Sequence, residues 1–353
     1  MTRPLPTISS ALFSSLLIGT VSAQISVTTD LDATQLAVEV FQGSGVTISN
    51  ETLIGNTQGT MASVGSYAAT NITLLPDNGV VLSTGFLNGL DGPATNFNSD
   101  QTGGSATDPD LMQLTGVGVY DLVALEFDFV PDENLLTFDF VFASEEYPEY
   151  VCELFNDGFG FFLSGPGISG PYSNNAANIA LLPGSATPIT INNVNNGSII
   201  VGNCPPSNEQ YYVDNTAGAT IVFDGLSTIL PISAAVVPGQ TYHIKLVIGD
   251  AGDSVFDSCL FLKAGSFRSV SSISTGVAAH EYSDLKAWFD TNGALRISDI
   301  DPIGRMELFD GQGRSIHQAV YNSNLISIPT EDLEQGPYVL RTATGTVRLM
   351  NVR

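Results

Sequence analysis

Residues 24–268 read as an all-β domain of β-sandwich or jelly-roll type, followed by a small C-terminal β-sandwich module. Three observations carry this. Short apolar segments recur at close spacing, the best of them alternate with period two, and Gly, Pro, Asn and Asp punctuate the intervals. Helical periodicity is nearly absent, and 33–40 is the one early stretch that fits a helix.

Taken in order, 38–41, 46–48, 72–75 and 80–83 read as the first strands. Residues 88–115 are a long polar loop rich in Gly, Asp, Asn and Pro, a type that is usually functional or mobile. Residues 119–130 form a clear strand with Val123, Leu125, Phe127 and Phe129 on one face. Pro131-Asp132-Glu133-Asn134 then turns the chain into a hairpin partner that begins at Leu135. Phe138, Phe140 and Phe142 alternate with Asp139 and Val141, a dense polar turn follows, and 159–163 closes as an aromatic strand. Further strands are expected at 178–182, 189–191, 220–223, 230–237, 242–248 and 258–264. In 242–248, Tyr242, Ile244, Leu246 and Ile248 face inward, with His243 and Lys245 outward. Residues 269–282 are a Ser/Val/Ala/Gly linker. The tail, 283–353, offers strands at 294–297, 306–309, 315–321, 325–328, 338–342 and 347–352, with a hairpin signal at Asp310-Gly311-Gln312-Gly313-Arg314.

Charge and address come next. The chain has 36 acidic and 11 basic residues, a net of −25, spread unevenly. Residues 24–272 hold 26 acidic and three basic residues, whereas 281–353 hold ten and seven. The acidic part repels nucleic acid and attracts cations. Arg3 precedes an apolar run, 11–21, and Val21-Ser22-Ala23 has signal-peptidase spacing, so 1–23 reads as a signal peptide. No later segment is long and apolar enough for a transmembrane helix. Cys152 and Cys204 lie in polar loops and are expected to pair, whereas Cys259 looks like a buried strand residue. Closing that loop contributes roughly 4 kcal/mol in the chain-entropy model.

The polar turns offer a calcium site. Glu145, Glu146, Asn156 and Asp157 sit on one loop, and Asp250, Asp253 and Asp257 on another; both follow apolar strands and can meet at one end of a sandwich. Calcium takes six to eight oxygens from carboxylates, amides, carbonyls and water. Strand alternation sends Glu145 and Glu146 to opposite faces, which favours Glu146 with Asp157. The bland alternative is that these acids cap turns or face water. Catalysis by paired carboxylates, as in a glycosidase, is the rival chemistry. Yet G-x-S-x-G and H-E-x-x-H are absent, and His243, His280 and His317 stand far apart.

Residues 24–268 resemble the choice-of-anchor L domain of secreted bacterial proteins. The resemblance is carried by GSGVTISN (43–50), NGVVLSTG (78–85), the stretch from Phe140 containing FASEEY, NIALLPG (178–184), YYVDN (211–215) and the stretch from Tyr242 containing GDAGDS. It assigns no catalytic activity. Residues 283–353 are similar to the C-terminal sorting domain of type IX secretion in Bacteroidota, through MELFDGQGRSI (306–316) and LEQGPYVLRTATGTVRLM (333–350). The family's Pro-Asn-Pro opening is missing, and Arg348-Leu349-Met350 stands where a lysine is common. The resemblance implies export through the type IX machinery. The expectation is a secreted or cell-surface, non-enzymatic binding or adhesion protein, calcium-stabilised, with an extracellular polysaccharide or a cell-surface partner. A glycan-active enzyme and a passive surface-layer component are the alternatives.

Overall fold

The computed structural model describes residues 24–94, 99–100, 102, 107–198, 201–271, 285–289, 294–299, 302–310, 314–329, 333, 336–342 and 346–351. The expected signal peptide, 1–23, and the linker from 272 onward lie outside the described residues. The chain divides into two units, Met1–Ser272 and Ile273–Arg353.

The strands described in the first unit are β1 (Gln24–Thr28), β2 (Val46–Ile54), β3 (Val64–Thr70), β4 (Asn78–Ser83), β5 (Val119–Pro131), β6 (Leu135–Ser144) and β7 (Gly158–Ser164). They continue with β8 (Ala177–Asn178), β9 (Tyr212–Asp214), β10 (Gly225–Ser227), β11 (Leu230–Ala235), β12 (Tyr242–Ala251), β13 (Ser258–Lys263) and β14 (Arg268–Val270). Two antiparallel sheets result. The larger runs β1-β3-β4-β13-β6-β10-β9, with β11 and β14 also on β6; the smaller runs β2-β5-β12-β7-β8.

Register follows the apolar pattern. On β12, Ile244, Leu246 and Ile248 pair with Phe127, Leu125 and Val123 of β5 on one side and with Leu163, Phe161 and Phe159 of β7 on the other. Phe138, Phe140 and Phe142 of β6 face them across the sandwich. Phe138 meets Phe161, and Phe140 meets Phe159, each at 5.2 Å between ring centres. Offset and edge contacts of this kind add to simple burial.

The larger sheet is buried on its outer face too. Val81, Val141 and Phe261 lie there under Leu87, Leu90 and Ile221-Val222-Phe223. This corrects two expectations: 72–75 and 220–223 are apolar loop segments covering that face, not strands. A short apolar run fits either role, since burial alone does not set backbone pairing. β3, which reads Val-Gly-Ser-Tyr-Ala-Ala-Thr, carries too little bulk to announce itself. Residues 38–41 are not a strand either. Gln35–Phe41 forms a π-helical turn that buries Leu36, Ala37 and Phe41 and overlaps the 33–40 stretch that fits a helix. Asp32 Oδ1 accepts from the Gln35 N–H, and Gln35 Oε1 accepts from the Asp32 N–H. Of 178–182 and 189–191, only Ala177–Asn178 is a strand; the rest makes isolated bridges. Ser269 and Val270, assigned to the linker, extend the first unit as β14. One short helix, α1 (Pro109–Thr115), lies within the long polar loop and packs Leu111 on the outer face of the smaller sheet.

The second unit is β15 (Lys286–Phe289), β16 (Leu295–Ser298), β17 (Gly304–Asp310), β18 (Ser315–Tyr321), β19 (Leu325–Ile328), β20 (Gly336–Arg341) and β21 (Thr346–Asn351). They form sheets β15-β16-β19 and β18-β17-β20-β21. Leu295, Ile297, Met306, Leu308 and Leu340 make the core between them.

Phe161 is fully buried and touches Phe138, Phe140 and Phe159. Phe161→Ala is expected to cost about 3–5 kcal/mol, read as a lower urea midpoint with the slope unchanged.

Candidate functional site

One end of the first unit collects the ends of six central strands: β4, β6 and β12 finish there, and β5, β7 and β13 begin there. The segment between β6 and β7 carries Glu145, Glu146, Asn156 and Asp157. Asp250 sits at the end of β12, and Asp253 and Asp257 follow before β13. The sheets bring both segments together. Ser144 pairs with Ser258, Gly158 pairs with Gly249, and the Glu145 N–H donates to the Asp257 carbonyl at 3.1 Å.

Asp157 is the hub. Its Oδ1 accepts from the Ala251 N–H at 2.8 Å and its Oδ2 from the Ser258 hydroxyl at 2.7 Å. One carboxylate thus ties both ends of the facing segment. Around it stand Asp121, Glu146, Asp250 and Asp257; these five and the neighbouring Glu145 are each at most 4% exposed. Glu145 and Glu146 lie in a turn rather than a strand, and both are buried; of the two, Glu146 is the one that feels the charge of Asp157. Asn156 and Asp253 each give one oxygen to a turn: Asn156 Oδ1 accepts from the Asn192 N–H at 3.1 Å, and Asp253 Oδ1 from the Val255 N–H at 3.0 Å, while Asp253 still lies close enough to Glu146 and Asp157 to raise both.

What remains is unusual. Neither oxygen of Asp250, nor Oδ1 of Asp257, nor Oε2 of Glu146 has a hydrogen-bond partner among the described residues, although all four atoms are buried. The Thr84 hydroxyl next to Asp250 eases its carboxylate slightly, but it points to the Ser258 carbonyl at 3.3 Å. Basic side chains are engaged elsewhere. Of the three in residues 24–272, Lys245 pairs with Asp108 and Asp110, and Lys263 with Asp139. Arg268 lies on β14 beside Thr137, near the other end of β6.

The electrostatic result is a set of reluctant acids. Burial, with repulsion from Asp157, Asp253 and Glu149, pushes Glu146 up to about 10. Burial pushes Asp257 to about 7, against the hydrogen bond from the Asp100 N–H and with added repulsion from Asp100, Asp121 and Asp157. Asp157 and Asp250 are also raised, first by burial; Asp157 keeps partial relief from the Ala251 and Ser258 donors and from the adjoining Asp250 carboxyl, with which it can share a proton. Among the described residues, no three His, Cys, Asp or Glu side chains stand ready-made as a metal site. A cation here would combine a few carboxylate oxygens with hydroxyl, carbonyl and water oxygens, a mixed shell that suits calcium.

Several participants carried no sequence signal. Asp121 sits near the start of β5 between Tyr120 and Leu122, where it reads as an ordinary strand residue; its φ of 45° is visible only in the fold. Gly85 is required by contact, because a Cβ there would fall 1.9 Å from Asp257 Oδ2. Part of the long polar loop closes over the acids: the Asp100 N–H donates to Asp257 Oδ2 at 2.9 Å, and the Thr102 hydroxyl to Asp121 Oδ1 at 3.0 Å. The expected disulfide joins Cys152 to Cys204, with Cα atoms 5.9 Å apart, and Cys259 is buried and reduced. The bridge fastens the β6–β7 segment to the loop that carries Cys204. Tyr147 adds a second tie, donating to the Val194 carbonyl at 2.7 Å.

The family profile described as the choice-of-anchor L domain matches residues 24–268. The chain belongs to the choice-of-anchor L family. Membership points to a cell-surface or extracellular protein. Among the described residues no helix is long and apolar enough to cross a membrane. Comparison with curated proteins finds no match. Among solved structures, this choice-of-anchor L chain is similar to a β-glucuronidase of Faecalibacterium prausnitzii at 10% identity and a TM-score of 0.26, over 87% of this chain and 46% of that one. It is also similar to a β-D-glucuronidase of Dictyoglomus thermophilum at 8% identity and 0.24, over 94% and 44%. A third is a β-1,2-glucanase of Parabacteroides distasonis, at 11% and 0.22, over 88% and 38%. The chain spans less than half the length of each. Likeness this distant transfers no activity.

Raised carboxylate values set a sign for pH. Their stabilising contribution is full below the unfolded value of about 4 and is lost as pH rises through the folded values, about 7 for Asp257. In EDTA, the melting temperature should therefore fall from mildly acidic to alkaline pH. Asp250→Asn should flatten that fall and raise the EDTA melting temperature at neutral pH by several degrees.

Proposed function

We propose that this is a secreted or cell-surface binding or adhesion module whose acidic end is closed by calcium, held chiefly by Glu146, Asp157, Asp250 and Asp257. One observation carries the reading: four carboxylate oxygens on three of these side chains are buried with no basic group and no well-formed hydrogen-bond donor among the described residues. An ionised carboxylate in such a place costs several kcal/mol unless paired. A divalent cation supplies the missing charge, and the mixed oxygen set around Asp157 supplies the rest of a flexible shell. Asp121 lies at the edge of the same group.

The role follows from the family and the charge. A choice-of-anchor L domain at the cell surface, acidic and disulfide-fastened, suits a holder of an extracellular polysaccharide or another surface component. The tail, with its resemblance to type IX sorting domains at 306–316 and 333–350, is proposed to engage that machinery during export. No turnover is expected, because the paired acids are enclosed rather than set in a cleft that admits substrate.

The test is the melting temperature of the full chain in EDTA and in millimolar calcium. A site of micromolar affinity is worth roughly 4 kcal/mol at a thousandfold excess, so a large upward shift is expected at neutral pH. Magnesium should give much less, since it demands tighter octahedral geometry. Asp250→Asn and Asp157→Asn should abolish the shift. An unchanged melting temperature, or hydrolysis of a glycan panel lost in Glu146→Gln, would remove the reading.

A further inference from the structure

A second constellation lies away from the acidic end, on the outer face of the smaller sheet. Lys245 projects there from the middle of β12. Its Nζ is 2.5 Å from Asp108 Oδ2 and 2.8 Å from Asp110 Oδ2. The three side chains are only 12%, 11% and 5% exposed. Asp108 Oδ1 accepts from the Leu111 N–H at 2.8 Å. Asp110 Oδ1 accepts from both the N–H and the hydroxyl of Ser173, each at 2.8 Å. The Phe162 ring lies 5.0 Å from Nζ, and Tyr172 packs on that ring at 4.6 Å.

An ion pair that anchors α1 would need only one of these carboxylates. The remaining parts make a reaction centre: an amine in contact with a carboxyl group, a second carboxylate on the same amine, a fixed donor at the far carboxyl oxygen and aromatic cover against water. We propose that Lys245 and Asp108 condense into an intramolecular isopeptide bond, with Asp110 as the proton carrier.

The step balances without a co-reactant. Within the ion pair one Nζ proton passes directly to Asp108 Oδ2, so the freed Nζ attacks Cγ of a carboxylic acid rather than of a carboxylate. Negative charge develops on Oδ1, where the Leu111 N–H already donates. Oδ2 departs with the two protons that Nζ gives up, one of them relayed by Asp110. Ammonium and carboxylate thus become a neutral amide and one water. The ion pair is the reactant state: burial opposes the Lys245 charge, but hydrogen bonds to Asp108 and Asp110 outweigh it. Amide formation is disfavoured in dilute water, but groups held in contact react with effective molarities of about 10⁵–10⁸ M. The product would staple the start of α1 to β12 across 137 residues of chain.

The test is the intact mass of the purified full chain after reduction of Cys152–Cys204, with its N-terminus fixed by sequencing. The expected mass is one water below that of the linear polypeptide. Digestion at lysine should fail after Lys245 and release one branched peptide containing Asp108. Asp110→Asn should restore the full mass in a protein that melts cooperatively. Lys245→Arg, which keeps an ion pair but removes the amine, should also have full mass and a lower melting temperature. Full mass in the unmodified sequence after prolonged incubation, with normal cleavage at Lys245, overturns the proposal. So does a lost water that maps to any other peptide.

Discussion

Everything at the acidic end depends on the position of Asp157. Its carboxylate is buried, yet it is fixed by donors from two other places in the chain, the Ala251 N–H and the Ser258 hydroxyl. Those bonds hold the β6–β7 and β12–β13 segments against each other, and in doing so they enclose Glu146, Asp250 and Asp257. Like charges at close range in a dry site favour protonation or a cation. A neutral surface turn would meet neither demand.

The aromatic core explains why the acids cannot simply move apart. Phe138, Phe140, Phe142, Phe159 and Phe161 lock β6 against β7 and fix where the turn between them begins and ends. The β12 register with β5 and β7 does the same for Asp250. The disulfide at Cys152 and the Tyr147 contact to Val194 hold the outer part of the turn. A rigid frame thus carries an electrostatically unfavourable tip, the arrangement expected where a site is organised before its ligand arrives. Lys245 repeats the theme on the outer face of the smaller sheet, where strand geometry presses one amine against two carboxylates.

Much of this was legible in the sequence, and the reason is periodicity. The alternation at Val123, Leu125, Phe127 and Phe129, and again at Tyr242, Ile244, Leu246 and Ile248, specifies both strands and their inner faces. All eight side chains are buried. Covering loops such as Ile221-Val222-Phe223 misled, because an apolar run tells of burial and not of pairing. At the site, the two acidic loops could be nominated from composition, and they do meet. Which members face inward could not be read. Asn156 and Asp253 each give an oxygen to turn hydrogen bonds, although Asp253 still raises Glu146 and Asp157, whereas Asp121 from β5 and Gly85 from just after β4 arrive through contacts that no local pattern encodes. The pairing of Cys152 with Cys204 was recoverable because only two cysteines sit in loops.

The most direct measurement is calorimetric titration of calcium into the EDTA-stripped, dialysed protein at neutral pH, repeated in buffers of different ionisation enthalpy. Carboxylates held protonated by burial must lose their protons to bind a cation. Saturable binding with net proton release, lost in Asp250→Asn, is therefore predicted. Absence of binding, or binding without proton release that persists in Asp250→Asn, would contradict a calcium site among these buried acids.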